Sequence, residues 1–121
     1  MAEPQSTKDA WLPALDALRA APEHHELLME NDAVRVLRTV IPAGETTNVH
    51  THRWPAVYLI ERWSPFVRRD ADGEVTLDSR SVPELQLPAG PVWSPPLPPH
   101  TLENVGSEEI RLLSVEVKTA D

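Results

Sequence analysis

The chain has no cysteine. Disulfides and thiolate metal sites are therefore excluded, and any metal must be held by imidazole or carboxylate. Basic residues are also short: 11 Lys and Arg stand against 19 Asp and Glu, a formal net charge of -8. Such a chain lacks the cationic excess that neutralises phosphates, which argues against nucleic-acid partners. No basic amphipathic helix points to a membrane surface. The apolar runs fall far short of the roughly 20 residues that cross a bilayer. The first residues, MAEPQSTKDAWLPALD, have neither the basic start nor the apolar stretch of a signal peptide, so a soluble, cytoplasmic protein is expected. Glycine is scarce as well, with 4 residues against 13 prolines. Proline is kept out of helix interiors and central strands, so these residues cut the chain into short pieces.

What is there suits one domain. A chain of 121 residues can bury enough apolar surface to fold without staples. Residues 1–24 are expected to form an N-terminal helical arm, and 25–121 a β-barrel. Within the arm, Leu12, Leu15, Leu18 and Ala21 recur at helical spacing, which predicts a helix over 7–21. Ser6 or Thr7 would cap it and Pro22 would end it.

Short strand-like runs follow: 25–29, 33–41, 46–52, 56–61, 65–69, 74–77, 84–87, 92–94, 100–104 and 109–118. Asp70-Ala71-Asp72-Gly73 reads as a hairpin turn. The run Ser94-Pro95-Pro96-Leu97-Pro98-Pro99 reads as a rigid barrel loop. Many short strands with ordered turns point to an all-β sandwich or barrel.

Three of the five histidines carry the chemical signal. His50 and His52 are two apart, so on a strand both imidazoles share a face. His100 lies on a distant strand. Together they can make a nitrogen-only metal site with open positions. His24 and His25 precede the barrel and are expected at the surface, without a metal role. On the strand from Ala33, the residues Val34, Val36, Arg38 and Val40 share one face. If that face is interior, Arg38 is a buried cation that needs an anion such as a substrate carboxylate; if it is reversed, Arg38 is solvated. Tyr58 could donate to a metal-bound ligand or complete a core hydrogen bond. Trp54, Trp63 and Trp93 could narrow the barrel mouth.

These residues resemble the two motifs of the cupin superfamily. Gly44, His50 and His52 in GETTNVHTH match the first, and Pro95, His100 and Asn104 in PPLPPHTLEN match the second. The stretch covered is roughly 33 to 118. Three positions depart: the motif glutamate falls at Ala56 or Val57, the closing glycine is Trp63, and the glycine of the second motif is Leu97. Glu45, Glu61 and Glu103 are all out of phase to replace the missing carboxylate.

The resemblance implies an all-β double-stranded β-helix, a jelly-roll barrel, with the N-terminal arm beside it. It implies one divalent metal on His50, His52 and His100, with Fe(II) favoured and Zn, Ni or Mn as alternatives. The three-histidine set looks like that of thiol and β-diketone dioxygenases. The expected activity is thus iron-dependent dioxygenation of a small chelating substrate, with Arg38 or Tyr58 steadying its charge. A redox-inert Lewis-acid isomerase or hydrolase, and a non-enzymatic ligand-binding cupin with a decayed site, are the alternatives. Unpaired barrel edges suggest a homodimer.

Overall fold

The computed structural model describes residues 11–86 and 90–118. The proposed caps Ser6 and Thr7, the start of the predicted helix and Leu87 lie outside them. The arm is not one helix. Pro13–Leu15 form a 3₁₀ turn, Asp16 takes an extended conformation, and Ala17–Ala20 form a single α-helical turn. Asp16 is the reason for the break. Its carboxylate accepts from the Leu18 N–H at 3.1 Å, so it caps the second turn and cannot continue the first.

Among the described residues nine strands follow: β1 His25–Glu30, β2 Val34–Ile41, β3 His50–His52, β4 Ala56–Arg62, β5 Phe66–Asp70, β6 Val75–Asp78, β7 Val92–Ser94, β8 Leu97–Asn104 and β9 Ile110–Val117. They form two antiparallel sheets, ordered β1-β2-β9-β4-β7 and β3-β8-β5-β6. The two sheets make an all-β double-stranded β-helix. The stretch predicted as a strand at 84–87 begins instead as a 3₁₀ turn, Pro83–Leu85, because proline at its first position starts a helical turn and cannot donate to a ladder. Among the described residues no helix is long and apolar enough to cross a membrane.

β2 shows strict alternation and fixes which face is inside. Arg35, Leu37, Thr39 and Ile41 are buried, while Val34, Val36, Arg38 and Val40 are half-buried on the other side. The open question about Arg38 is therefore settled against the interior. Pairing with β9 repeats the pattern, and Ile110, Leu112, Ser114 and Glu116 point inward with it.

Pro98 and Pro99 lie inside β8 rather than in a loop. They sit where the β3 register shifts between His50↔His100 and His52↔Leu97, and beyond the last β5 pair, Asp70↔His100. The missing N–H groups thus fall where the ladder is already interrupted. β8 ends on Asn104, which is fully buried. Its Nδ2 donates to the carbonyls of Ile41 and Glu108, and its Oδ1 accepts from Ser64 Oγ and the Gly106 N–H. One side chain ties four segments together. Gly44 turns at φ +83 before β3 and donates to the Asn104 carbonyl.

β1 forms one edge of its sheet. Only His25 is buried along it, and Leu27, Leu28 and Met29 are exposed.

Candidate metal centre

β3 and β8 place His50 opposite His100 in register, and His52, two residues on along β3, lines the same interior. All three are buried. A fourth imidazole joins them. His25, expected at the surface, is 7 % exposed, and one ring nitrogen each of His25, His50 and His52 lie within 4.8 Å of one another. The His100 ring centroid is 4.4 Å from that of His50 and 5.7 Å from that of His52. His24, also expected outside, is 9 % exposed and bonds Glu45 at 2.8 Å through Nε2. Both leave the surface because the arm covers this end of the barrel.

The hydrogen bonds fix the chemistry of the four rings. Nδ1 of His25 meets the Ala21 carbonyl at 2.9 Å, Nδ1 of His50 the Asn48 carbonyl at 2.8 Å, and Nδ1 of His100 the Pro98 carbonyl at 2.7 Å. A carbonyl only accepts, so each Nδ1 carries the proton and donates. Nδ1 of His52 meets the Glu116 carboxylate at 3.0 Å with the same consequence. Every ring is thus held in the tautomer that leaves the Nε2 lone pair to offer.

Burial keeps the cluster free of charge. It pushes His25 and His52 down to about 3 and His100 to about 2, with the neighbouring imidazoles adding to each shift. Burial lowers His50 too, against its bond to Asn48. Neutral imidazoles are the protonation state that a cation needs.

Behind His52 runs a buried ionic chain. Glu116 accepts from Arg35 Nε at 2.7 Å, and Arg35 forks onto both Asp16 oxygens at 3.0 and 2.9 Å. Burial raises the Glu116 carboxyl, with Arg35 working against it. For Arg35, burial pulls down, but the bonds to Asp16 and Glu116 outweigh it and hold the guanidinium above its usual range. The arm therefore reaches the histidines twice, through Asp16 and through the Ala21 carbonyl. Thr51 Oγ1 also donates to the Leu15 carbonyl at 3.3 Å.

The rings open into a cavity of about 300 Å³ between the sheets. Tyr58 lines it, half-buried, and hydrogen-bonds Ser94; burial raises its phenol. Trp63 and Trp93 line it as well, with Trp93 60 % exposed. Trp54 instead sits under the Arg35, Arg53 and Lys118 cations. Arg38 is not a cavity residue: it lies 3.9 Å from Glu26 and 3.9 Å from Glu61 on the outer face. Among the described residues the cation that lines the cavity is Arg68, on β5.

The neutral rings of His25, His50 and His52 bring their nitrogens close enough to share a divalent transition metal, and the set is nitrogen-only; His100, an expected ligand, stands beside them by its ring but outside that group. His25 comes to this group from β1, outside the two motif blocks. The spacing of residues held no sign of it, since β1 turns only its first side chain inward. Glu116 did leave a signal: it continues the inward period-two series Ile110, Leu112, Ser114.

No protein-family model matches the sequence, and no curated protein matches it significantly. Solved structures do. A cupin domain from Bordetella pertussis Tohama I superposes with a TM-score of 0.61 at 22 % identity, covering 78 % of this chain and 92 % of that one. An RmlC-like cupin family protein with a double-stranded β-helix fold from Methanocaldococcus jannaschii gives 0.54 at 17 %, covering 77 % of each. A conserved protein with a double-stranded β-helix domain from Klebsiella pneumoniae gives 0.52 at 19 %, covering 77 % and 70 %. The architecture is shared with all three.

Proposed function

We propose that this chain, which has the cupin fold, is a metal-dependent enzyme that binds one divalent cation through His25, His50, His52 and His100 and acts on a small chelating substrate. The observation that carries the reading is the set of four Nδ1 hydrogen bonds, which leave Nε2 unprotonated on four rings that line one cavity, three of them with nitrogens within 4.8 Å of one another. The metal, iron(II) by preference, would supply a Lewis-acidic and oxygen-reactive centre for a dioxygenase-like reaction. The chain's residues do the rest. The carbonyls of Ala21, Asn48 and Pro98 and the Glu116 carboxylate orient the rings. Tyr58 offers a phenol to substrate, and the apolar walls exclude water. The exposed edge of β1 supports a homodimer.

A redox-inert Zn, Ni or Mn centre is the second reading, favoured by the same nitrogen donors, which accept those ions as readily. The test is elemental analysis of protein from metal-replete cells, beside His25→Ala and His50→Ala. About one equivalent of metal is expected in the parent, with affinity lowered in both variants. Metal-free parent protein would sink the reading, and an unaffected His25→Ala would reduce the site to three histidines. Oxygen uptake with iron(II) and a diketone or thiol supports dioxygenation; turnover without oxygen supports the Lewis-acid alternative.

A further inference from the structure

Arg68 is a cation with an unmet need. It lines the cavity, and its Nε is buried without a hydrogen-bond partner. No salt bridge to it exists among the described residues, whereas its neighbour Arg69 faces the other way and bonds Glu103 at 2.8 Å. Among the described residues no Asp or Glu lines the cavity. Burial pulls the Arg68 guanidinium down, and Tyr58 is the group that works against this. A guanidinium does not give up its proton in a protein, so the charge stays and its counter-ion must come from elsewhere.

The rest of the lining says what kind of ion. Ile60, Trp63, Phe66, Leu77 and Leu112 are apolar, so the body of the ligand is hydrocarbon. A single fork-shaped cation matches one planar carboxylate. With no acidic residue to receive an ammonium group, amino acids are disfavoured.

We propose that Arg68 is the anion-binding residue of this cavity, and that the substrate is an apolar monocarboxylate held by that guanidinium. The inference rests on the reading of the cavity as a small-molecule site. It moves the role of charge partner from Arg38 to Arg68.

The test compares benzoate with benzamide, and includes phenylalanine and inorganic phosphate, by thermal shift and calorimetric titration. It uses protein as purified and chelator-stripped protein, so that direct carboxylate–metal bonding is separated from the guanidinium. Benzoate should bind saturably to both forms, and benzamide, phenylalanine and phosphate at least tenfold more weakly. Arg68→Met should weaken benzoate about 10–100-fold, while Arg38→Met leaves it unchanged. Ligand-free Arg68→Met should melt at or above the parent temperature, because it removes an unpaired buried charge. Equal binding of benzoate and benzamide, preference for phosphate or phenylalanine, or a marked loss of stability in Arg68→Met would each overturn the assignment. Metal content read on the same samples keeps the two readings apart. Metal present with no carboxylate selectivity ends this inference alone. Selectivity without metal ends the metal reading alone.

Discussion

Replacing Glu116 with glutamine keeps the shape of the buried chain and changes one property, the direction of a hydrogen bond. The carboxylate now accepts twice, from Arg35 Nε at 2.7 Å and from His52 Nδ1 at 3.0 Å. An amide has one acceptor and one donor end. Its oxygen must face Arg35, because a buried guanidinium cannot accept and an N–H pointed at it would leave its charge opposed. The NH₂ group then faces His52, whose Nδ1 must become an acceptor. The ring proton moves to Nε2 and covers the lone pair offered to the metal. Changes at the groups that orient a metal-ligating histidine cost about 10–100-fold in affinity, and Glu116→Gln should fall in that range. The loss of charge in a bond to Arg35 should cost about 2 kcal/mol, or roughly 6–12 °C in Tm for a chain of this size. Competition with a chromophoric chelator reads the affinity, thermal unfolding of stripped protein reads the stability, and imidazole ¹⁵N shifts read the His52 tautomer. A variant that loses stability but keeps parental metal affinity, with the proton still on Nδ1 of His52, refutes the argument.

Two further outcomes follow from the same geometry. His25, His52 and His100 have folded-state values of about 3, 3 and 2 against 6.5 when unfolded, so between those limits the unfolded chain binds more protons. Stability of metal-stripped protein should therefore fall as pH drops below 6.5, by about 1.4 kcal/mol per pH unit for each of the three; urea midpoints equal at pH 7 and 5.5 would contradict this. Gly106→Ala should destabilise by about 2 kcal/mol or more, since an added Cβ would collide with Ser64 Oγ and the Pro65 ring and push Ser64 off Asn104; an unchanged Tm would show that this corner yields freely.

The sequence made the barrel legible because strand periodicity and the two partial motifs agree. β7 falls where it was expected, and His50, His52 and His100 come together from β3 and β8. The failures have local causes. At the arm, apolar spacing suggested one helix, but Asp16 gives its side chain to a cap and to Arg35. On β2, period two fixes that Arg35 and Arg38 face opposite ways, yet it cannot say which way is inward; the β9 partner decides. His25 is drawn inside because Ala21 supplies an acceptor for its Nδ1, a contact between two segments that spacing along the chain does not encode. Arg68 and Arg69 are adjacent on β5 and so face opposite ways, but which of them finds a carboxylate is decided by the neighbouring strands, where Glu103 of β8 meets Arg69.

The contacts of Asp16 and Ala21 also bear on how the molecule comes apart. The two ends of the arm's second turn both reach the histidine cluster, Asp16 through Arg35 and Glu116, and Ala21 directly on His25. Peeling the arm away would strand a buried guanidinium and release one imidazole in the same motion. Arm and barrel should therefore melt in one transition, and a bound cation would act as a rivet through both. Metal occupancy would then report whether the turn Ala17–Ala20 is docked, which makes it a simple gauge of complete folding.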